Sequence, residues 1–325
     1  MRPTANPRAS YIEHGWEINN AVLRVLNNGE YILGSEVKRF EASFADYIGV
    51  RHCVGVASGT DALILSLRAF GIGKEHEVIT VSHTAVATVA SIVTSGATPV
   101  LVDIEPDTFC IDTDRIERAI TGKTRAIIPV HLYGNVCRMD RIMSIAKKHK
   151  LMVIEDCAQA HGARFNGKRV GSIGNAGCFS FYPTKNIGCF GDGGAITLNN
   201  GKTADKLRLL RQYGWKKKFV SEIHGYNSRL DELQAAVLNV KLKYLDSDNA
   251  RRRALASRYG EVNKDSVYHL YVTRKKKRPQ HSVVHYPVPI HLQPAYRKLV
   301  RVCGSMKETV RASKEVVSLP TYPQV

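Results

Sequence analysis

The chain has 325 residues, of which 44% are hydrophobic and 23% are charged. These values are typical of a folded globular protein and exclude a disordered, collagen-like or low-complexity chain. The formal net charge is +18, which suits nucleic acid, an acidic surface or an anionic small substrate. No helix-turn-helix, zinc or RNA-binding signature accompanies the basic runs at 216–218, 251–253 and 274–278. We therefore expect these runs to be solvated, and we expect no nucleic-acid partner.

The cysteine content indicates a reducing compartment. Seven cysteines are an odd number, and no Cys-x-x-Cys pair occurs, so the sequence predicts neither a disulfide framework nor a zinc finger. Residues 1–10 contain no apolar segment of the kind found in secretion signals. We expect a cytoplasmic protein on these grounds.

One uncharged stretch, residues 84–102, approaches the length of a membrane span, which takes about 20 apolar residues. Its hydroxyl side chains, together with Gly96 and Pro99, favour a helix followed by a buried strand. The stretch therefore predicts an α/β unit, and we expect no membrane partner.

Short apolar runs alternate with helical patterns over residues 52–215. They predict strands at 52–57, 77–81, 100–102, 124–130, 151–155, 177–181 and 194–198, and helices at 62–70, from 84, at 112–120 and at 139–149. This alternation is typical of a mostly parallel sheet covered by helices on both faces.

A longer helical pattern follows. Apolar residues recur at steps of three and four from Leu230 to Tyr244, and no Gly or Pro occurs before Gly260. The predicted helix bridges a large domain, residues 1–246, and a small, shortened C-terminal α+β domain, residues 247–325.

Three segments that each follow a predicted strand carry candidate chemistry. Small residues at 58–60 can form an anion site at a helix N-terminus, although, for this segment taken alone, a plain helix cap by Ser58 or Thr60 is the favoured interpretation. Asp156 ends an apolar strand and could hold a proton on a pyridine-type nitrogen, or could simply be solvated. Its neighbours Cys157 and His161 are weak evidence for a metal, and we expect none.

The third segment contains Lys185, between Pro183 and a glycine-rich stretch at 188–194. A lone lysine is usually a surface residue, but one held in this way is a candidate Schiff-base amine. Together the three segments supply a phosphate cradle, an acid for a ring nitrogen and an amine. Pyridoxal phosphate needs this combination.

The chain resembles the DegT/DnrJ/EryC1/StrS family of pyridoxal-phosphate sugar aminotransferases over nearly its whole length. The resemblance rests on YILG at 31–34, GTDAL at 59–63, PVHLYG at 129–134, EDCAQAHG at 155–162, SFYPTKN at 180–186, GYNSRLDELQAA at 225–236 and HYPVPIHLQ at 285–293. So many ordered matches are specific, where any one would be weak.

The resemblance implies an α/β type I aminotransferase fold and a homodimer with shared active sites. It implies that Lys185 forms the internal aldimine with pyridoxal 5'-phosphate and then moves protons, in a cycle through pyridoxamine phosphate. It further implies that Asp156 pairs with the pyridine nitrogen and that Gln159 contacts the ring hydroxyl. The phosphate would be held by Gly59, Thr60 and Ser180, and by Asn227 of the partner subunit.

The resemblance also implies a nucleotide-sugar substrate and L-glutamate as the amino donor. The segment at 285–293 looks closest to members that act on dTDP-linked 3-keto-6-deoxyhexoses, in deoxyamino-sugar biosynthesis for lipopolysaccharides or antibiotics. Within the matched segments we assign substrate contacts to Tyr31, Tyr182, Arg229, His285, Tyr286 and His291.

Two departures from the family pattern stand out. Many members carry an aromatic residue over the cofactor ring near Ala85, so two outcomes are open: His83 stacks there instead, or no side chain does. Compared with the family pattern, segments are expected but not found between residues 259 and 267 and between 273 and 285, either because they are deleted or because the sequence omits loops there.

Two other functions remain open. One is a nucleotide-sugar dehydratase of the same fold, a branch that has histidine in place of Lys185. The other is a non-enzymatic DNA-binding regulator, which the net charge motivates.

Overall fold

The computed structural model describes residues 3–277 and 281–325, so Arg278 of the basic run at 274–278 lies outside the described residues. The helices of the described chain are α1 (Pro7–Asn28), α2 (Ser35–Ile48), α3 (Gly59–Ala69), α4 (Val86–Thr94), α5 (Ile116–Ala119), α6 (Met139–His149), α7 (Gly201–Leu210), α8 (Glu232–Lys241), α9 (Leu245–Ala256) and α10 (Lys307–Glu315). The strands are β1 (His52–Val56), β2 (Glu77–Val81), β3 (Thr98–Val102), β4 (Thr124–Ile127), β5 (Met152–Asp156), β6 (Arg164–Phe165), β7 (Lys168–Arg169), β8 (Ala176–Ser180), β9 (Gly194–Leu198), β10 (Trp215–Lys217), β11 (Val220–Ser221), β12 (Tyr271–Arg274), β13 (Arg301–Val302) and β14 (Val316–Leu319).

Within the described residues, eight strands form the central sheet in the order β1-β9-β8-β5-β4-β2-β3-β13. The pairs from β8–β5 to β3–β13 are parallel, whereas β9 is antiparallel to both β1 and β8. Two antiparallel steps restore the strand direction, so β1 runs the same way as β8 and β5. The predicted mostly parallel sheet is confirmed.

The sheet is buried on both faces, as its continuous apolar runs predict. On β2, Val78 belongs to one hydrophobic cluster, and Ile79 and Val81 belong to another. Because alternate residues of a strand point to opposite faces, the two clusters lie on opposite sides of the sheet. The first cluster includes apolar residues of α3 and α7, and the second includes residues of α6 and α10.

Two elements differ from their predicted bounds. The predicted strand at 124–130 ends at Ile127, close to Pro129, which has no N–H to donate to a sheet. The predicted single helix that starts near Leu230 is two helices, α8 and α9, joined by a 3-10 turn at Leu242–Tyr244. At this turn the ring of Tyr244 stacks on His14 of α1, with ring centroids 3.8 Å apart.

The C-terminal part is attached to the central sheet. The β13 strand pairs with β3, and Arg301 donates to the Glu77 carboxylate of β2 at 3.0 and 2.9 Å. The buried Asp103 accepts from the N–H groups of Glu308 and Thr309 at 2.9 and 2.8 Å, which caps the start of α10. The proposed domain boundary at 246/247 stays a prediction.

Residues 84–102 form α4 and β3, as the sequence predicts. Over the ranges 3–277 and 281–325, none of the helices is long and apolar enough to cross a membrane.

Candidate active site

The three segments singled out in the sequence meet at one edge of the sheet. Ser58 follows β1, Asp156 ends β5 and Ser180 ends β8. Because these strands run the same way, their carboxyl ends lie at the same edge, where ligands bind in α/β folds. A pocket of about 220 Å³ opens there. Seven of the predicted site residues line it, namely Gly59, Thr60, Asp156, Gln159, Ser180, Tyr182 and Lys185.

The start of α3 forms one wall of the pocket. The Ser58 hydroxyl accepts from the Asp61 N–H at 3.1 Å and caps the helix, so the plain-cap interpretation holds for this residue. The first N–H groups of the helix, at Gly59 and Thr60, have no acceptor within the helix. A Cβ at Gly59 would lie 2.5 Å from the Ser180 Cβ, so only glycine lets these two segments approach. The helix N-terminus and the Ser180 hydroxyl fit a phosphate group.

Asp156 is 5% exposed and is held from two sides. Its Oδ2 accepts from the Thr88 hydroxyl at 2.8 Å, and its Oδ1 accepts from the Ala158 N–H at 3.2 Å. Burial raises the pKa of Asp156, although both hydrogen bonds and the charge of Lys185 act against this. A buried carboxylate of this kind is stabilised by a positively charged partner such as a protonated ring nitrogen.

Lys185 lies between the end of β8 and the glycine-rich stretch, as predicted. Its N–H donates to the Tyr182 carbonyl at 2.9 Å. The next residue, Asn186, is fixed because its amide donates to the side chain of Asn249 at 2.8 Å. Burial lowers the pKa of Lys185 from 10.5 to about 8, and the charge of Asp156 acts in the opposite direction. A lysine with a lowered pKa is the better nucleophile near neutral pH.

Gln159 has a fixed orientation. Its Oε1 accepts from the backbone N–H of Tyr133 at 2.7 Å, and its Nε2 donates to the Tyr286 hydroxyl at 2.9 Å. Because a backbone N–H can only donate, the first contact assigns the amide oxygen. The Nε2 group has a second hydrogen, which remains available to an acceptor in the pocket.

The structure gives His83 other partners. It is 1% exposed and is not among the residues that line the pocket, where the wall consists of Thr84, Ala85 and Ala87. The Tyr133 hydroxyl donates its proton to the His285 carbonyl, so His83 donates to that hydroxyl from Nε2, at 2.7 Å. Burial lowers the pKa of His83 to about 4, so the ring is neutral. Stacking of His83 on a cofactor stays a prediction.

The predicted substrate residues of the C-terminal segment are not among the residues that line the pocket. Tyr286 contacts it through Gln159. His291 bonds the Ser82 hydroxyl at 2.7 Å through Nδ1, and His285 bonds the Ser318 hydroxyl at 2.8 Å. Burial lowers the pKa of both histidines and raises the pKa of Tyr286 to about 12.

Three other predicted residues lie outside the pocket. Asn227 is exposed and pairs with Gln212 in an isolated bridge. Tyr31 is 50% exposed, and the guanidinium of Arg229 lies 5.8 Å from the ring centroid of Tyr213. The resemblance assigns Asn227 to the partner's site, and that role, like the substrate contacts, stays a prediction.

Sequence reasoning missed Thr88, which contacts the carboxylate at the centre of the site. It lies on α4, and its hydroxyl is 3.0 Å from that of Thr84, which lines the pocket. The two threonines are four residues apart in an otherwise apolar stretch, a spacing that places both on one face of a helix. This spacing was the available signal. Asp192 in the glycine-rich stretch also lines the pocket and was not assigned a role.

A buried group of potential metal ligands lies beside the site, formed by His131, Glu155 and Cys157. The Glu155 carboxylate already accepts from three backbone N–H groups, at 2.7 to 2.9 Å. The His131 ring is also engaged, with Glu155 at Nε2 and with the Cys137 N–H at Nδ1, both at 3.2 Å. These contacts indicate that Glu155 and His131 stabilise the surrounding loops by hydrogen bonds and do not serve as metal ligands.

The residues present fit pyridoxal phosphate. The pocket combines the N–H groups at the start of α3, where a Cβ at Gly59 would clash with Ser180, a buried carboxylate that accepts from the neutral Thr88 hydroxyl and Ala158 N–H, and a lysine. The charge of Asp156 acts on this lysine across the pocket.

A solved structure, that of S. venezuelae DesV in complex with a ketimine intermediate, is similar to the chain with a TM-score of 0.95 and 44% sequence identity. The match covers 99% of this chain and 93% of that chain.

Two curated relatives are similar over nearly the full length. The chain is 43% identical to dTDP-3-amino-3,4,6-trideoxy-alpha-D-glucose transaminase of Streptomyces venezuelae, with 99% of this chain and 92% of the relative covered. It is 48% identical to dTDP-3-amino-3,6-dideoxy-alpha-D-galactopyranose transaminase of Aneurinibacillus thermoaerophilus, with 99% and 95% covered. These alignments extend over 347 and 346 positions, more than the 325 residues of the chain, so the relatives carry segments that this chain lacks.

The sequence profile of one family matches the chain in two stretches, residues 13–284 and 274–325. The two stretches overlap at residues 274–284, inside the interval 273–285 where a segment of the family pattern is expected but not found. With this match over most of its length, the chain belongs to the DegT/DnrJ/EryC1/StrS aminotransferase family.

Proposed function

We propose that this protein uses pyridoxal phosphate to transfer an amino group from L-glutamate to the keto carbon of a dTDP-linked 3-keto-6-deoxyhexose. One observation carries the proposal. Lys185, Asp156, Gln159 and the N-terminus of α3 line a single pocket at the carboxyl edge of the sheet. The family match and two relatives named as transaminases of dTDP-linked 3-amino sugars support the same reaction.

The chain's residues divide the work in the pocket. Pyridoxal phosphate, when bound, supplies an aldehyde carbon that carries the amino group and a ring that accepts electrons. The N–H groups of Gly59 and Thr60 and the Ser180 hydroxyl bind the phosphate. Asp156 balances the positive charge of a protonated ring nitrogen, and the free N–H of Gln159 donates to the ring hydroxyl.

Lys185 handles the amine and the protons. With its pKa lowered to about 8, about one amine in ten is neutral at pH 7 and able to attack a carbonyl carbon. Once a substrate amine replaces it, the same Nζ is free to take a proton from the substrate carbon and deliver it elsewhere in the site. Lys185 is placed for this because its side chain lines the pocket.

The nucleotide sugar and the second subunit complete the proposal. A pyrophosphate is dianionic, and the net charge of +18 favours its approach. We assign sugar-nucleotide contacts to Tyr31, Tyr182, Arg229, His285, Tyr286 and His291. Large exposed apolar side chains, such as Ile12 at 67%, Trp16 at 80% and Phe219 at 75%, suit a homodimer interface from which Asn227 reaches the partner's phosphate site.

The test is an absorbance spectrum of the protein with pyridoxal phosphate, before and after L-glutamate is added. We expect a visible band of covalently bound cofactor, and we expect glutamate to convert it to a shorter-wavelength form with release of 2-oxoglutarate. The Lys185→Ala variant is the control and should give no band that borohydride fixes to the protein. If the band forms but glutamate leaves it unchanged, the amino donor or the reaction class is wrong.

The two alternatives are weaker. The dehydratase branch has histidine at the position of Lys185, and this chain has lysine. A DNA-binding regulator would bind DNA with a steep salt dependence, and it would leave the lysine, carboxylate and amide in one pocket without a role.

A further inference from the structure

A pair of threonines links the pocket to the buried carboxylate of Asp156. The Thr84 and Thr88 hydroxyl oxygens are 3.0 Å apart, and the Thr88 hydroxyl is 2.8 Å from Asp156 Oδ2. Thr84 and Thr88 are 2% and 0% exposed, so water does not compete for these hydrogen bonds. Thr84 also lines the pocket.

The direction of these hydrogen bonds follows from the proton count. An ionised carboxylate can only accept hydrogen bonds, so the single hydroxyl proton of Thr88 must point to Asp156. The Thr88 oxygen is then left as an acceptor, and Thr84 must be the donor in the bond between the two threonines. The result is a chain in which each hydroxyl points toward Asp156, and hydrogen bonds arranged in this way strengthen one another.

Other groups also act on Asp156. Lys185 after β8 and His131 after β4 favour its ionised form, as does the Ala158 N–H. Burial opposes ionisation of Asp156. The charge of Asp156 in turn helps to raise the pKa of the neighbouring side chains of Cys157, Cys178 and Tyr286, which burial raises most. Of these groups, Thr88 makes the shortest hydrogen bond to the carboxylate.

We propose that Thr84 and Thr88 are positioning residues, whose directed hydrogen-bond chain keeps Asp156 ionised and aimed at the ring nitrogen of the cofactor. The inference deepens the proposed function and rests on it for the role of Asp156. The hydrogen-bond chain itself does not depend on the reaction. It assigns the two threonines to the electrostatics of the site, although neither needs to touch the reacting atoms.

The decisive measurement is the pKa of Asp156 in the full-length, cofactor-free protein, read by NMR of aspartate labelled with carbon-13 at the carboxyl. The Asp156→Asn variant identifies the signal. Loss of one hydrogen bond to a charged group corresponds to a rise of about one to two pKa units in Thr88→Val. Thr84→Val should give a smaller rise, and Thr88→Ser, which keeps the hydroxyl, should restore the wild-type value.

Three outcomes overturn the inference. They are an unchanged pKa in Thr88→Val, an equal rise in Thr88→Ser, and no rise in Thr84→Val. Because valine matches threonine in shape, a folded variant is expected, and thermal unfolding of each variant verifies it. If Thr88→Val does not fold, the Thr84→Val and Thr88→Ser titrations still decide the matter.

A second readout uses the loaded protein. Below the pKa of Asp156 in the variant, we expect Thr88→Val to bind pyridoxal phosphate more weakly than wild type, by up to about ten-fold for each unit of pKa rise, while Thr88→Ser binds it normally. If the wild-type protein binds no pyridoxal phosphate, the proposed function fails, but the titration of the cofactor-free protein still tests the threonine chain. The two failures are therefore distinguishable.

Discussion

The lowered pKa of Lys185 gives a prediction that can be tested without substrate. Burial lowers the pKa from 10.5 to about 8, while the Asp156 charge raises it. At pH 7 a group with a pKa of 8 is neutral in about one molecule in ten, against about one in three thousand at 10.5. The reactivity of the Lys185 amine should therefore rise through pH 8 and level off above it. Removing the charge with Asp156→Asn should move this midpoint lower still.

Competitive acetylation measures this pKa for a single lysine. Trace acetic anhydride is added to the cofactor-free protein at pH values from 6 to 11, and mass spectrometry reads the labelled fraction of the peptide that contains Lys185. The same peptide in urea-unfolded protein is the control and should titrate near the ordinary value. A native midpoint near 10.5, or a midpoint that rises in Asp156→Asn, would refute the reasoning.

Three further predictions concern the carboxylate, the shared site and the stability of the sheet. Asp156→Ala should keep its circular dichroism spectrum but lose at least about 100-fold in turnover, and near-normal rates would contradict its role. Inactive Lys185→Ala and Asn227→Ala proteins, when unfolded and refolded together, should regain activity in mixed dimers, whereas the same treatment of either alone should not; no recovery would count against Asn227 acting in the partner's site. Glu77→Gln should destabilise the protein by about 2 kcal/mol at pH 7 in urea unfolding, because Arg301 loses a charged acceptor. Burial would raise the pKa of Glu77, but the Arg301 and Thr121 hydrogen bonds outweigh burial and hold it below 4.5. The stability difference is therefore present above pH 4.5 and should shrink as the pH falls through the lowered pKa, and a difference that grows on acidification would be inconsistent with this contact.

Elements whose signal is local were predictable from the sequence. The strands at Glu77–Val81 and Gly194–Leu198 and the helix at Met139–His149 have the predicted bounds, because an apolar run or a 3.6-residue period defines each of them. The break between α8 and α9 was not predictable, since no Gly or Pro marks it. It coincides with the stacking of Tyr244 on His14, a contact between residues far apart in the sequence.

In the site, too, some features could be predicted from the sequence and others depend on contacts between distant residues. Lys185, Asp156 and Gly59 follow strands whose shared direction brings them to one edge, so their proximity could be predicted from topology. The partners of His83 could not, because its contact with Tyr133 joins two loops with no pattern in common. The orientation of Gln159 depends on a backbone N–H of another loop, and no spacing within the sequence encodes it.

The two-residue strand β13 has a consequence for how the protein tolerates truncation. Strand β3 would otherwise be the outer strand of the sheet, with its backbone N–H and C=O groups open to another chain. The pairing of Arg301 and Val302 with Val100 and Leu101 closes that side, and such coverage is one way in which proteins avoid edge-to-edge aggregation. A chain that stops before Arg301 would retain every residue that lines the pocket. It would nevertheless leave β3 as an unpaired edge strand, which could associate with other chains. Arg301 and Val302 thus protect the sheet against association with other chains, although neither residue lines the pocket.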